Sequence, residues 1–201
     1  MQTRRWEVGE EVSRLFIGIR PDKRTQQFLD GLVSQCRQQM GSDKRGRVRW
    51  TSHSNRHLTL AFLGETPDRL IPQLEEKLAQ IATTLPPCSG RIVSLNPFPQ
   101  RRSPLLAAEL LTNPALDRLH GQCRHLMADL GMKPESAAYR PHITLARSKR
   151  GFTQMEPVML DHTLPVDNIV LYQSHTAPGG SQYLPLFEAQ LSGGQKQQGP
   201  L

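Results

Sequence analysis

A four-residue phrase occurs twice in this 201-residue chain, and it limits the possible folds more than any other feature. His57-Leu58-Thr59-Leu60 returns 85 positions later as His142-Ile143-Thr144-Leu145. Both copies lie in short apolar runs that read as strands. Successive strand side chains alternate between faces, so residues two apart share a side. His57 and Thr59 are therefore expected to point one way, and Leu58, Leu60 and Phe62 the other. His142 and Thr144 separate from Ile143 and Leu145 in the same manner. Each phrase thus presents an apolar face to a core, backed by an imidazole and a hydroxyl roughly 6–7 Å apart along the strand. A lone strand histidine is ordinarily a satisfied core or edge residue. Two of them, each with Thr in register, point to function.

The segments around the phrases follow one plan. In the first half, residues 13–20 alternate as a strand, and Pro21-Asp22 opens a helix. That helix carries Phe28, Leu29, Leu32, Val33, Cys36 and Met40 and ends at Gly41. A short strand at 47–51 precedes the phrase strand 57–63, which Gly64 is expected to stop. Thr66-Pro67 reads as the start of a second helix with Leu70, Ile71, Leu74, Leu78, Ile81 and Leu85 inward. Residues 88–98 read as a strand, and the halves join near 99–104. The second half repeats this plan with a strand at 105–111, a helix after Asn113-Pro114 capped by Gly131, and the phrase strand 139–146. Residues 151–164 read as loop. Two strands, 166–175 and 183–191, flank the turn Ala177-Pro178-Gly179-Gly180. An approximate internal duplication of this kind predicts a bilobal molecule with a pseudo-two-fold, whose equivalent strands bring both His–Thr pairs into one cleft. The expected domain covers residues 13–191, between a loose leader (1–12) and a polar, disordered tail (192–201).

The totals narrow the setting. Hydrophobic residues make up 37%, and no apolar run approaches the ~18 residues of a membrane span. The charged N-terminus lacks the apolar stretch of a secretory signal, so a cytoplasmic monomer is the expectation. Cys36, Cys88 and Cys123 lack zinc or disulfide spacing and read as free thiols, two of them on buried helix positions. The formal charge is +7 and the pI about 9.8. The excess is grouped at Lys44, Arg45, Arg47 and Arg49, at Arg101 and Arg102, and at Arg147, Lys149 and Arg150. An ordinary solvated surface and a polyanionic partner both account for such charge. The position of the groups favours the partner: one precedes the first phrase and another follows the second.

Imidazole is the side chain whose unperturbed pKa lies nearest neutrality, so two across a cleft can serve as one base and one acid. Two Thr hydroxyls can donate to the non-bridging oxygens of a tetrahedral anion held between them. A phosphodiester needs one proton removed from its nucleophile and one supplied to its leaving oxygen, and this set provides both without a metal or cofactor. The acidic residues lie mainly on predicted helices, away from both phrases.

HLTLAFLGE (57–65) and YRPHITLARS (139–148) resemble the paired HxTx motifs of the 2H phosphoesterase superfamily. The nearest branch is the bacterial RNA 2′,3′-cyclic phosphodiesterases, also called 2′-5′ RNA ligase-like proteins. RLFIGI, RVRW and LYQSHTAPGGSQYLPLFEAQL support the likeness, which spans roughly residues 13–191. The resemblance implies an α+β fold, bilobal, with two antiparallel sheets and flanking helices about a basic central cleft. It also implies metal-independent opening of RNA 2′,3′-cyclic phosphate ends to 2′-phosphates. Carried over by motif, His57 would be the proton donor to the 3′ oxygen and His142 the proton acceptor from water. Thr59 and Thr144 would bind the phosphate. The second-half strand PLLAAELL lacks a tryptophan common in the family, and SHSNRH replaces a more Pro-rich turn.

Other residues carry two readings each. Arg140 and Arg147 are placed either to touch phosphate or to form surface ion pairs. Tyr139 reads as a packed strand-edge aromatic, with stacking on a base as the alternative. Phe62 and Trp50 read as core, His53 as exposed, and His162 and His175 as bystanders. His120 and His125, five apart on a helix, are poorly spaced for a shared metal. The alternatives to RNA-end hydrolysis are a 2H enzyme acting on 2′-5′ oligonucleotides or small cyclic nucleotides, including 2′-5′ ligation, and a non-catalytic RNA-binding module. The expected partners are RNA ends or oligonucleotides, with no membrane.

Overall fold

Helix caps written in the sequence set the frame. In the computed structural model, which describes residues 9–40, 48–153, 155–178 and 180–194, the Asp22 carboxylate accepts the Thr25 amide at 3.1 Å. This cap starts helix α1 (Lys23–Gln39). The Asn113 side chain does the same for the helix Pro114–Asp129, accepting from the amides of Ala115 and Leu116 at 3.1 and 3.0 Å. Gly131, at φ +67°, ends that helix in the left-handed conformation open to glycine. Between these two lies the helix Ile71–Thr84. In chain order the three are α1, α2 and α3. Residues 1–8 of the expected leader, Gly41, Lys44, Arg45 and Arg47, Gly179 of the turn, and residues 195–201 of the tail lie outside the described residues.

The strands are β1 (Val12–Ile19), β2 (Val48–Trp50), β3 (Leu58–Pro67), β4 (Cys88–Phe98), β5 (Leu105–Leu111), β6 (His142–Ser148), β7 (Val158–Val166), β8 (Asn168–Ala177) and β9 (Gly180–Gln190). They order as β7-β4-β5-β6-β3-β1-β8-β9, every neighbouring pair antiparallel, with β2 also paired to β6. The expected two sheets are thus one continuous sheet. Its two portions, β7-β4-β5-β6 with β2 and β3-β1-β8-β9, are joined by a single residue pair, Leu58 opposite Ile143. Both side chains are fully buried. One core runs behind the sheet through both portions, including Leu29 of α1, Leu74 and Leu78 of α2, and Leu116 and Leu126 of α3. Burying a Leu or Ile of this kind contributes about 1.5–3 kcal/mol, so the single backbone join is backed by shared packing.

Four local expectations are corrected. Gly64 does not stop β3: at φ +73° it sits in an irregular step, and the strand continues to Pro67. Thr66 and Pro67 do not open a helix. The Thr66 hydroxyl donates to the Gly64 carbonyl, and a 3-10 turn (Asp68–Leu70) intervenes before α2. The second half of the expected loop 151–164 is edge strand β7. Its inward row of Leu160, His162, Leu164 and Val166 contains an imidazole, and Val158 and Met159 are exposed, which blurs the alternation. Pro165 suits an edge, where a missing N–H leaves no ladder bond broken. The phrase strand begins at His142 rather than Tyr139 and extends to Ser148, because β2 pairs with its far end. No helix among the described residues is long and apolar enough to cross a membrane.

Candidate active site

The join between the two sheet portions builds the site. Leu58 and Ile143 face each other in antiparallel register, which sets His57 beside Thr144 and Thr59 beside His142. Both central side chains point into the core, so the four flanking ones point to the opposite face. All four line one open cleft of about 920 Å³. The duplicated phrases therefore meet at their centres, and each histidine is set across from the other copy's threonine.

The two imidazoles are oriented alike. His57 Nδ1 lies 2.8 Å from the Asn55 carbonyl oxygen, and His142 Nδ1 lies 2.8 Å from that of Arg140. A carbonyl only accepts, so each Nδ1 carries the hydrogen and each Nε2 is left for chemistry in the cleft. Each ring is held by aromatic neighbours: His142 stacks on Phe98 at 4.0 Å, and His57 meets Tyr183 edge-on at 5.0 Å and Phe16 at 4.6 Å. Burial pushes the His57 pKa down to about 4, opposed by the bond to Asn55 and reinforced by repulsion from His142 and Arg147. Burial also lowers His142. The bond to Arg140 and the Glu109 carboxylate oppose this shift, while the charges of Arg140 and Arg147 add to it.

A third residue of each motif joins the cleft through a β-bulge. In β3, Ala61 pairs with Ile17 and Thr59 with Gly18, which leaves Leu60 unpaired. In β6, Ala146 pairs with Leu106 and Thr144 with Ala107, which leaves Leu145 unpaired. Each extra residue lies three positions after its histidine and reverses the alternation beyond it. The fifth position therefore returns to the cleft face: Phe62 in one copy, Arg147 in the other. Phe62 is 49% exposed, which corrects its assignment to the core. Trp50, also expected in the core, is only partly buried and lines the cleft, with the Arg37 guanidinium over its ring.

The remaining predicted residues divide. Arg147 joins the histidines and threonines in the cleft wall. Arg140 lies elsewhere: its guanidinium donates to Glu109 at 3.1 Å and to the Pro99 carbonyl at 2.8 Å, over the Phe98 ring. Tyr139 is packed, its ring stacked on His120 at 3.9 Å and its hydroxyl donating to the Thr59 carbonyl at 3.2 Å. His120 Nδ1 donates to the Leu60 carbonyl, so helix α3 braces the bulged strand. His53 is exposed beside Asp30 and His175 is exposed. His162 bonds the Thr25 hydroxyl and stacks on Phe28. Cys36 and Cys123 are buried free thiols and Cys88 is partly buried. No group of three His, Cys, Asp or Glu side chains converges among the described residues. Sequence reading missed Phe98, Glu109, Asn55 and Tyr183, none of which belongs to a repeated phrase. It also missed the role of Phe62, although equal spacing to Arg147 carried that signal.

Residues 21–177 match the model of the 2′-5′ RNA ligase superfamily. The chain is 32% identical over 149 residues to the RNA 2′,3′-cyclic phosphodiesterase of Bacillus subtilis, covering 72% of this chain and 81% of that protein. It is 31% identical over 151 residues to the enzyme of the same name from Thermotoga maritima, covering 72% and 80%. Among solved structures, a Thermus thermophilus protein superposes with a TM-score of 0.80 at 24% identity, over 90% of this chain and all of that one. Escherichia coli LigT complexed with 3′-AMP does so with a TM-score of 0.70 at 24% identity, over 90% and 99%. Sequence and fold together place the chain in the 2′-5′ RNA ligase superfamily, among the 2H phosphoesterases.

Proposed function

We propose that this protein hydrolyses RNA 2′,3′-cyclic phosphate termini to 2′-phosphates without a metal. The observation that carries this reading is the Leu58–Ile143 register, which puts both histidines and both threonines on one face of the sheet, where all four line the same cleft. The names of the relatives at about 30% identity supply the substrate class. In the reaction, water attacks phosphorus and gives a proton to His142 Nε2. The bond from phosphorus to O3′ breaks, and His57 Nε2–H protonates that oxygen. The Glu109 carboxylate near His142 favours the role of base. The low pKa of His57 makes it a strong donor once an anionic phosphate has charged it. Thr59, Thr144 and Arg147 hold the non-bridging oxygens. The exposed Phe62 ring offers a stacking surface for the terminal base.

We also infer that the halves are related by a pseudo-two-fold at the Leu58–Ile143 pair. Supporting this are the strand order outward from the join, the bulges three residues after each histidine, and the two matching Nδ1–carbonyl bonds.

The test is an oligonucleotide ending in a 2′,3′-cyclic phosphate, assayed in EDTA with the product identified. His57→Ala and His142→Ala should each slow hydrolysis about 10²–10⁴-fold with an unchanged circular dichroism spectrum. Full activity in either variant, or a 3′-phosphate product, would refute the mechanism. Turnover only on 2′-5′ oligonucleotides would reassign the substrate. Salt-sensitive RNA binding with no turnover would make the protein a binding module.

A further inference from the structure

Arg49 and Arg147 are direct cross-strand partners in the β2–β6 pair. Residues opposite each other in an antiparallel pair share a face at about 4.5–5.5 Å between Cβ atoms, and like charges there are destabilising. Both side chains are exposed and both line the reaction cleft. The lining carries Arg14, Arg49 and Arg147 against one carboxylate, Glu135. No carboxylate forms an ion pair with Arg49 or Arg147 among the described residues. The guanidinium of Arg49 lies beside Gly180, whose hypothetical Cβ would come within 3.7 Å of Nη1. It therefore sits between β2 and the β8–β9 turn, where Pro178, Ser181 and Gln182 also line the cleft. An exposed pair of adjacent like charges costs stability in the free protein, and that cost is relieved when anions occupy the site.

One phosphate does not need both arginines. A cyclic phosphodiester has a single negative charge and two non-bridging oxygens, already met by Thr59, Thr144 and Arg147 in the proposed mechanism. In an RNA end the next anion is the phosphodiester that links the terminal nucleotide to its 5′ neighbour. Resting on that mechanism, we propose that Arg49 binds this upstream phosphodiester, so that the cleft selects oligonucleotide ends over cyclic mononucleotides. The Arg49–Arg147 pair then acts as a ruler: one charge takes the reacting phosphate and the other takes the internal one.

The test compares adenosine 2′,3′-cyclic phosphate with a dinucleotide that ends in the same group, using wild-type protein, Arg49→Gln and Arg147→Gln. Wild type should favour the dinucleotide. Arg49→Gln should lower kcat/KM for the dinucleotide about tenfold, chiefly through KM, the loss expected of one charged contact. Its rate on the mononucleotide should stay within about twofold, whereas Arg147→Gln should impair both substrates. Equal loss on the two substrates in Arg49→Gln would assign Arg49 to the reacting phosphate, and no loss on either would leave it a surface charge. Either result overturns the proposal. If wild type turns over neither substrate, the hydrolase reading fails. Binding then decides Arg49 alone: the salt slope for a 2′-phosphate-ended trinucleotide should fall by about 0.7 in Arg49→Gln, and an unchanged slope refutes the contact.

Discussion

Leu60 and Leu145 hold equivalent places, each the unpaired residue of a bulge three positions after a motif histidine. The bulge in β3 is accommodated by Gly18, which pairs with Thr59 on the neighbouring strand. A Cβ on residue 18 would stand 2.9 Å from the Leu58 carbonyl oxygen and 3.6 Å from the His57 ring. The nearer obstacle is backbone and cannot rotate away. Gly18→Ala should therefore shift β3 and His57 together, costing about 1–3 kcal/mol as overpacked sites do. Chemical denaturation measures the first effect and kcat the second. Wild-type stability with wild-type kcat would show that the strand has slack at this point.

Phe62 is a large apolar side chain turned toward water by that bulge. Nearly half exposed, it contributes little to the core, so Phe62→Ala should cost less than the ~3–5 kcal/mol of a buried phenylalanine. Base–aromatic stacking is worth about 1–3 kcal/mol, so the same variant should lose roughly 5- to 150-fold in kcat/KM. Phe62→Tyr should retain most activity. A large loss of stability without loss of activity would return the ring to a structural role.

Much of this layout was legible locally. The caps at Asp22 and Asn113, the strands 88–98 and 105–111, and the buried rows of all three helices follow from residue type and period. The His–Thr pairs were legible because duplication singled them out. Phe62 was misplaced because alternation assumes an uninterrupted strand, and a bulge is a property of two strands in register. Nothing between residues 57 and 62 announces it; the opposing step between Ile17 and Gly18 does. The single sheet was hidden for the same reason, since its two portions touch through one long-range pair. Edge strand β7 was lost because its inner row includes His162, which bonds to α1 instead of packing as an apolar residue.

Asn55 and Arg140 supply the carbonyls that fix the two imidazoles, and each is anchored by its own side chain. The Asn55 amide donates to the Ser181 carbonyl at 2.7 Å and accepts the Tyr183 amide at 3.2 Å. Arg140 is held by Glu109 and Pro99. Asn55→Ala should loosen the turn before His57 while leaving Thr59, Thr144 and Arg147 in place. The expected result is a fall in kcat of about 10-fold or more with KM changed less than about threefold, since positioning errors act on the chemical step. Histidine ¹⁵N shifts give a second readout that needs no substrate. His57 should be the Nδ1–H tautomer in wild type and a mixture in the variant. A fixed tautomer with normal kcat would make the Asn55–β9 contact purely structural.

The imidazoles of His57 and His142 both sit where burial disfavours their charged form. For His57 the pKa falls from its ordinary 6.5 to about 4, so between these values the unfolded chain binds more protons than the folded one. Stability from this group is fully present above about 6.5 and is lost as pH falls through about 4. Urea midpoints should accordingly drop across that window, and less so in His57→Gln. A bound phosphate works in the opposite sense, because a nearby anion favours imidazolium. The kcat/KM profile, which reports the free enzyme, should be bell-shaped with its maximum below the ordinary histidine value of 6.5, since both histidines are lowered. The kcat profile reports the bound state and should lie at higher pH. Two profiles that superimpose would mean that the reacting phosphate does not touch the imidazoles, and the paired acid–base reading would fall with that result.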